Sequence, residues 1–248
     1  MVVSIETGMP GNRFSLNLME ELANVLESIQ ENEENKVIIL SGENGNFSTG
    51  IDIKEMNGIS VSDAFRIAAT IKKIQNLIIN SPKIFIASIN GYCLGAGLEI
   101  ALVCDFRFAS YNAIFGLPQV NLGIIPGGGG ITRLIDTSGR TLAAKLILIG
   151  ESIKADEAMN YGLITDMTED PMQQAFQLAD ALKEKSALAL SMAKKYVNYR
   201  LLENQAQIDL ENQAFSLMFD FPDSVEGMSA FIEKRKPVFI SKPRKEET

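Results

Sequence analysis

The stretch Asn90-Gly91-Tyr92-Cys93-Leu94-Gly95-Ala96-Gly97-Leu98-Glu99 follows the apolar run Ile84-Phe85-Ile86-Ala87 and leads into Ile100-Ala101-Leu102-Val103. Pro82 stops the preceding helical pattern, so the run from Ile84 reads as a buried strand, and the run after Gly97 is compatible with a helix. A buried strand that turns through Gly-Ala-Gly into a helix indicates an α/β fold. Small residues at such a turn let ligand atoms approach the backbone closely. The N–H groups at the helix start have no intrahelical partners and lie at the positive end of its dipole. Two of them aimed at one point make an oxyanion hole. Turns of this kind also exist purely for close packing. This one matches neither GxGxxG nor the Walker P-loop, because the third glycine is missing and no Gly-Lys-Ser/Thr follows.

Outward from this turn, the same alternation recurs. Val2 to Thr7 reads as a short strand closed by Gly8-Met9-Pro10-Gly11-Asn12. An amphipathic helix follows, with Leu18, Leu22, Val25, Leu26 and Ile29 on one face. Val37-Ile38-Ile39-Leu40 reads as a buried strand, and Phe65 to Ile79 as a helix. Gly162 is a helix C-cap before an expected strand from Leu163 to Met167. From Pro171 onward the pattern is almost wholly helical. The chain therefore divides into an α/β core over residues 1–188 and a C-terminal helical region over 189–248.

Composition narrows the chemistry. The 248 residues are 46% hydrophobic, enough for a substantial core. Twenty-three basic against 31 acidic residues give a net charge of −8, which argues against a nucleic-acid footprint. Basic residues gather only at Lys234, Arg235, Lys236, Lys242, Arg244 and Lys245, as a solvated terminus or an anion-binding patch. No apolar run reaches the ~18 residues that span a bilayer, and no basic-then-apolar targeting segment opens the chain. Cys93 and Cys104 sit in apolar contexts and read as buried free thiols, which fits a cytoplasmic location. There is no histidine. That excludes Ser/His/Asp and Cys/His triads, His-ligated zinc and a histidine base. Proton chemistry falls to carboxylates, Lys, Tyr, Cys or water. An ionised Glu99 among Leu98, Ile100 and Ala101 would be costly to bury, which favours a raised pKa and a functional site. Tyr92 is expected in the core.

Two further stretches stand out, Phe47-Ser48-Thr49-Gly50-Ile51-Asp52-Ile53-Lys54-Glu55-Met56 and Phe115-Gly116-Leu117-Pro118-Gln119-Val120-Asn121-Leu122-Gly123-Ile124-Ile125-Pro126, the latter continued by Gly127 to Gly130. The three in this order resemble the enoyl-CoA hydratase/isomerase (crotonase) family, whose corresponding segments look like AGADIKEM, NGYALGGGCEL and FGxPExxLGxxPGxGG. Asn12-Arg13-Phe14-Ser15 and the stretch from Glu226 to Pro237 extend the resemblance over nearly the whole chain.

The resemblance implies a spiral of repeated ββα units whose C-terminal helices assemble a homotrimer or a dimer of trimers. It implies an acyl-CoA substrate, no cofactor, no metal, and no nucleic-acid or membrane partner. The backbone N–H groups of Ile51 and Ala96 would form the oxyanion hole. Ile51 is bulkier than the family's usual residue there, but only its N–H is needed. Ile51, Asp52, Ile53 and Lys54 would lie along the CoA, and Phe231 and Lys234 match further CoA contacts. Of the two glutamates that hydratases of this family use, the first matches Glu99; the second position is Gln119. An amide can orient water but cannot accept its proton at neutral pH. The expected activity is therefore hydratase-like addition and elimination of water on a 2-enoyl thioester. The alternatives are a one-base double-bond isomerase, thioester hydrolysis, or a non-catalytic CoA-binding relative. Asp52, which follows the oxyanion turn, and Asp105, which opens a strand, read as structural, and the absence of histidine counts against the family's dehalogenase and decarboxylase branches.

Overall fold

A computed structural model describes residues 1–32, 34–199 and 204–240. The strands are β1 Val2–Ile5, β2 Val37–Gly42, β3 Ile84–Ile89, β4 Tyr92–Leu94, β5 Phe106–Ser110, β6 Ile114–Gly116, β7 Ser152–Lys154 and β8 Asp166–Thr168. The helices are α1 Leu16–Gln30, α2 Ile53–Met56, α3 Val61–Ile79, α4 Ala96–Ala101, α5 Gly130–Ala144, α6 Ala155–Asn160, α7 Pro171–Lys183, α8 Ala187–Val197, α9 Gln205–Met218 and α10 Pro222–Ile232. A 3-10 turn spans Pro118–Leu122. No helix among the described residues is long and apolar enough to cross a membrane.

β1, β2, β3, β5 and β8 form one parallel sheet in that order, while β4, β6 and β7 form a second, smaller sheet. Successive units of the chain serve both. β3 enters the large sheet, β4 the small one, and α4 follows; β5 and β6 repeat the move before α5. Ser48, bridged to Cys93, takes the small-sheet position after β2. This is the expected winding of ββα units. It explains why segments distant in sequence meet, Ser48 with Cys93 and Leu94 with Gly116, since they are the same turn of consecutive units.

The runs Val37–Leu40 and Ile84–Ala87 are apolar at every position because both faces of the large sheet are covered. Ile38, Leu40, Phe85 and Ala87 face the main core with α1 and α3. Val37, Ile39, Ile84 and Ile86 face a smaller cluster with Ala175 and Ala179 of α7. Ser15, Ser60, Asp170 and Ser186 cap α1, α3, α7 and α8 through side-chain oxygens that accept helix N–H groups. Cys93 and Cys104 are buried and unpaired.

Three expectations are corrected. The buried face of α1 is Met19, Leu22, Ala23, Leu26 and Ile29, while Val25 is exposed. At about 100° per residue that face is rotated from the one expected, and Val25 falls off its rim. α3 begins at Val61, four residues before Phe65, because Ser60 supplies its cap. β8 begins at Asp166 instead of Leu163, because the Leu163 N–H and C=O are already taken by Ala158 O and Arg107 Nε.

Candidate active site

Backbone hydrogen bonds tie the three sequence segments together. Phe47 N donates to Asn90 O, Ser48 N to Tyr92 O, and Leu94 N to Ser48 O, all at 2.8–2.9 Å. Gly95 N donates to Gly116 O at 3.0 Å, which adds the third segment. The approach is close enough to need glycine. A Cβ at Gly97 would lie 2.8 Å from Ser48 O, and Gly95 adopts φ 51°, ψ −128°, a region that only glycine populates readily.

At this junction the Ile51 and Ala96 N–H groups have no acceptor among the described residues. A Cβ built on Gly50 would come within 3.4 Å of Ala96 N, so the two expected oxyanion segments lie against each other. Both residues line a cavity of about 1100 Å³. Its wall also includes Ile53, Met56, Ile71, Glu99, Gln119, Leu122, Ile124 and Phe215, with Arg13, Tyr92, Phe231 and Lys234 among its other residues. The structure thus brings Glu99, Gln119, Ile51, Ala96, Ile53, Phe231 and Lys234 to one cavity. Asp52 and Lys54 are not in its lining: Asp52 caps α2 and pairs with Arg13, and Lys54 is exposed. Tyr92, expected in the core, is 44% exposed and belongs to the cavity lining. Lys242, Arg244 and Lys245 of the basic tail lie outside the described residues.

Glu99 projects from α4, is 2% exposed, and its Oε1 accepts from Gly128 N at 2.8 Å and Gly130 N at 3.1 Å. Burial, and next the charge of Glu211, push its pKa up to about 7; the two N–H groups and Arg133 pull the other way. A carboxylic acid poised there can both accept and return a proton near neutral pH. Of the four glycines 127–130, Gly128 and Gly130 lie against this carboxylate, while Gly127 packs on Phe215 and Gly129 on Arg133. A Cβ at Gly130 would stand 2.7 Å from Glu99 Oε1, and one at Gly128 would stand 2.5 Å from Ile71 Cγ2. Gln119 reaches the cavity from the 3-10 turn, and its Oε1 is buried without a hydrogen-bond partner. The Gln119 side chain lines the cavity, and its buried amide oxygen is an acceptor left unmet.

Sequence reasoning missed the polar cage behind Glu99. Arg133, 1% exposed, donates through Nη1 to Gln75 Oε1 at 2.8 Å and Gly128 O at 2.6 Å, and Gln75 Nε2 returns to Glu99 O at 3.0 Å. Glu211 of α9 accepts from Ile131 N, Thr132 N and Thr132 Oγ1. A signal was present: Ile208, Glu211 and Phe215 share one helical face, and an acid inside an apolar stripe is rarely there for packing.

A model of the family described as enoyl-CoA hydratase/isomerase matches residues 1–242. The chain is 38% identical to 2,3-dehydroadipyl-CoA hydratase of Escherichia coli strain K12, over 96% of this chain and 94% of that one. It is 35% identical to crotonyl-CoA hydratase of Syntrophomonas wolfei, over 93% and 90%. Among solved structures, an enoyl-CoA hydratase from Bacillus anthracis superposes with a TM-score of 0.76 at 34% identity, covering 96% of this chain and 95% of that one. Another, from Mycobacterium avium subsp. paratuberculosis, reaches 0.87 at 27% identity, covering 97% and 95%.

Proposed function

Because the chain belongs to the enoyl-CoA hydratase/isomerase family, we propose that it adds water across, and removes it from, the Cα=Cβ bond of a 2-enoyl-CoA thioester. The observation that carries this reading is a carboxylate poised near pKa 7 in the cavity that is also lined by Ile51 and Ala96, with their unpartnered N–H groups, and by Gln119.

In this scheme the thioester oxygen accepts from Ile51 N and Ala96 N, which costs no reorganisation as charge builds on it. The Gln119 side-chain amide hydrogen-bonds the attacking water, whose oxygen bonds to Cβ and keeps one hydrogen while Glu99 takes the other as a proton. The alkene electron pair moves toward the thioester oxygen as an enolate. The enolate then collapses, and Cα takes the proton from Glu99. Water is consumed whole, and no metal or prosthetic group is required. Ile53 lies along the CoA, Asp52 fixes its turn, Lys54 meets the CoA outside the cavity lining, and Phe231 and Lys234 contribute to the wall. One observation favours the rival reading: Glu99 is the only carboxylate lining the cavity among the described residues, which suits a one-base isomerase moving a proton between Cα and Cγ.

Gln119→Glu separates the two. For a hydratase short of one proton carrier, the variant is expected to raise hydration of a short 2-enoyl-CoA by at least ~10-fold, the low end of what a general acid/base contributes. Rates of hydration and isomerisation across a panel of enoyl-CoA esters provide the measurement. A fall in the native rate, with isomerisation dominant in the parent protein, would overturn the hydratase reading. The added charge would then only raise the Glu99 pKa further.

The same proposal includes a homotrimer or dimer of trimers and a cytoplasmic location. Its support is α8, where Leu188 is 74% and Val197 79% exposed alongside Met192 and Tyr196, with exposed Tyr199 just beyond it. On α9 the apolar cluster from Ala214 to Phe219 contributes less than its sequence suggests, because Phe215 and Phe219 pack inside the protomer. Light scattering at micromolar concentration is expected to give three or six times the 27.2 kDa chain mass; a monomer would count against the assembly.

A further inference from the structure

The start of α5 offers its free N–H groups to two buried carboxylates. Gly130 N, with the preceding Gly128 N, donates to Glu99; Ile131 N and Thr132 N donate to Glu211 at 3.0 and 3.1 Å. Thr132 Oγ1 adds a third bond to Glu211. One helix terminus, carrying a partial positive charge, is thus divided between an acid from the α/β core and an acid from the C-terminal helices. Glu211 is 7% exposed, and the hydratase scheme leaves it without a task.

We propose that Glu211 is a positioning residue for Glu99: it occupies the Ile131 and Thr132 N–H groups, fixes the glycine turn that holds Glu99 Oε1, and opposes the Glu99 charge from behind. The inference rests on the reading of Glu99 as the proton carrier. Without Glu211, the whole helix terminus and the Arg133 guanidinium would act on Glu99 alone. Both favour the ionised carboxylate. Glu99 would then hold its proton too weakly to return it to Cα at neutral pH. With Glu211 in place, one positive helix end and one guanidinium serve two negative groups.

Among the described residues, the charges that act on Glu99 are Glu211 from α9 and Arg133 from α5. The other neighbours are neutral: Gln75 and Ile71 from α3, and Gln119 from the 3-10 turn. Nearby, Lys72 and Asp209 neutralise each other across α3 and α9.

The test titrates Glu99 directly, in the full chain labelled with carboxyl-13C glutamate, assigning its resonance by comparison with E99Q. E211Q keeps an acceptor for the α5 N–H groups but removes the charge; E211D keeps the charge. In E211Q the Glu99 midpoint is expected to fall by about half a unit or more, with the acid limb of kcat/KM moving alongside. E211D is expected to stay near the parent midpoint. A purely structural Glu211 would lower kcat without moving either midpoint, and an E211Q midpoint within about 0.2 unit of the parent overturns the inference. If instead E99Q itself keeps the parent rate, the Glu99 reading falls, which is a separate result. Should E211Q not fold, Thr132→Val removes the hydroxyl donor that favours ionised Glu211, so Glu211 carries its charge less of the time. The same downward shift is then expected, and no shift overturns the inference.

Discussion

Glu99→Gln is expected to reduce hydration by at least ~10²–10⁴-fold while leaving the Kd for a saturated acyl-CoA within a few fold. The amide oxygen still accepts from Gly128 N and Gly130 N, so the turn and cavity wall are retained. Only the group that takes and returns the proton is lost. Steady-state kinetics with isothermal titration of the ester separate these effects, and a variant retaining most of its kcat would make Glu99 structural. In the parent, kcat/KM should rise with pH through about 7 as Glu99 ionises. The stability signature has the opposite sign. Glu99 holds its proton more tightly folded than unfolded, so the native state binds more protons between the ordinary value of 4.5 and about 7. Stability therefore falls as pH rises through that window, by at most on the order of 3 kcal/mol. Denaturant unfolding at pH 5 and pH 8 should show E99Q free of that part of the fall.

The second large effect is expected from Gly130→Ala. Its methyl group would stand 2.7 Å from Glu99 Oε1 and 2.9 Å from Glu99 Cγ, distances no side chain tolerates. Alanine is the better helix residue, by up to about 1 kcal/mol, but overpacking a filled site costs typically 1–3 kcal/mol, so the clash wins. Either Glu99 is pushed toward the substrate or the α5 start moves back. A displacement near 1 Å at a reacting group costs about 10²-fold in rate, so kcat should fall by about that factor. The melting temperature and kinetics of the variant check both halves. Unchanged kcat would mean that the glycine run serves packing alone.

Much of this was legible in the sequence because it is written locally. Val37–Leu40 and Ile84–Ala87 announce strands covered on both faces, and Gly95-Ala96-Gly97 announces a backbone approach that the structure realises against Ser48 and Gly50. The absence of histidine left carboxylates as candidates for the chemistry, and Glu99 is the one buried in the cavity. What periodicity could not give is direction. Tyr92 reads as a core residue and the apolar cluster around Phe215 as surface for subunit contact, yet Tyr92 opens on the cavity and Phe215 turns inward to wall it. The Arg133–Gln75–Glu211 cage was illegible for a different reason. Its members lie 58 to 136 positions apart, on three helices with no shared motif, and only the closed fold shows that each satisfies the others or the turn beside Glu99.

The placement of Phe215, Glu211, Phe231 and Lys234 against the three glycine-bearing segments has a consequence for biosynthesis. Every one of those segments leaves the ribosome before α9 is translated. A nascent chain of 200 residues already carries Glu99, Gln119 and both N–H donors, but one side of the binding chamber is absent. The apolar lining at Ile71, Leu122 and Ile124 is then uncovered, and the α5 start has N–H groups without their acid. α9 and α10 follow the three segments in the chain and contribute Phe215 and Phe231 to the chamber, so the site is expected to be complete only once they dock. Nascent chains that lack α9 are expected to be inactive, and their open cavity is the surface a chaperone would meet.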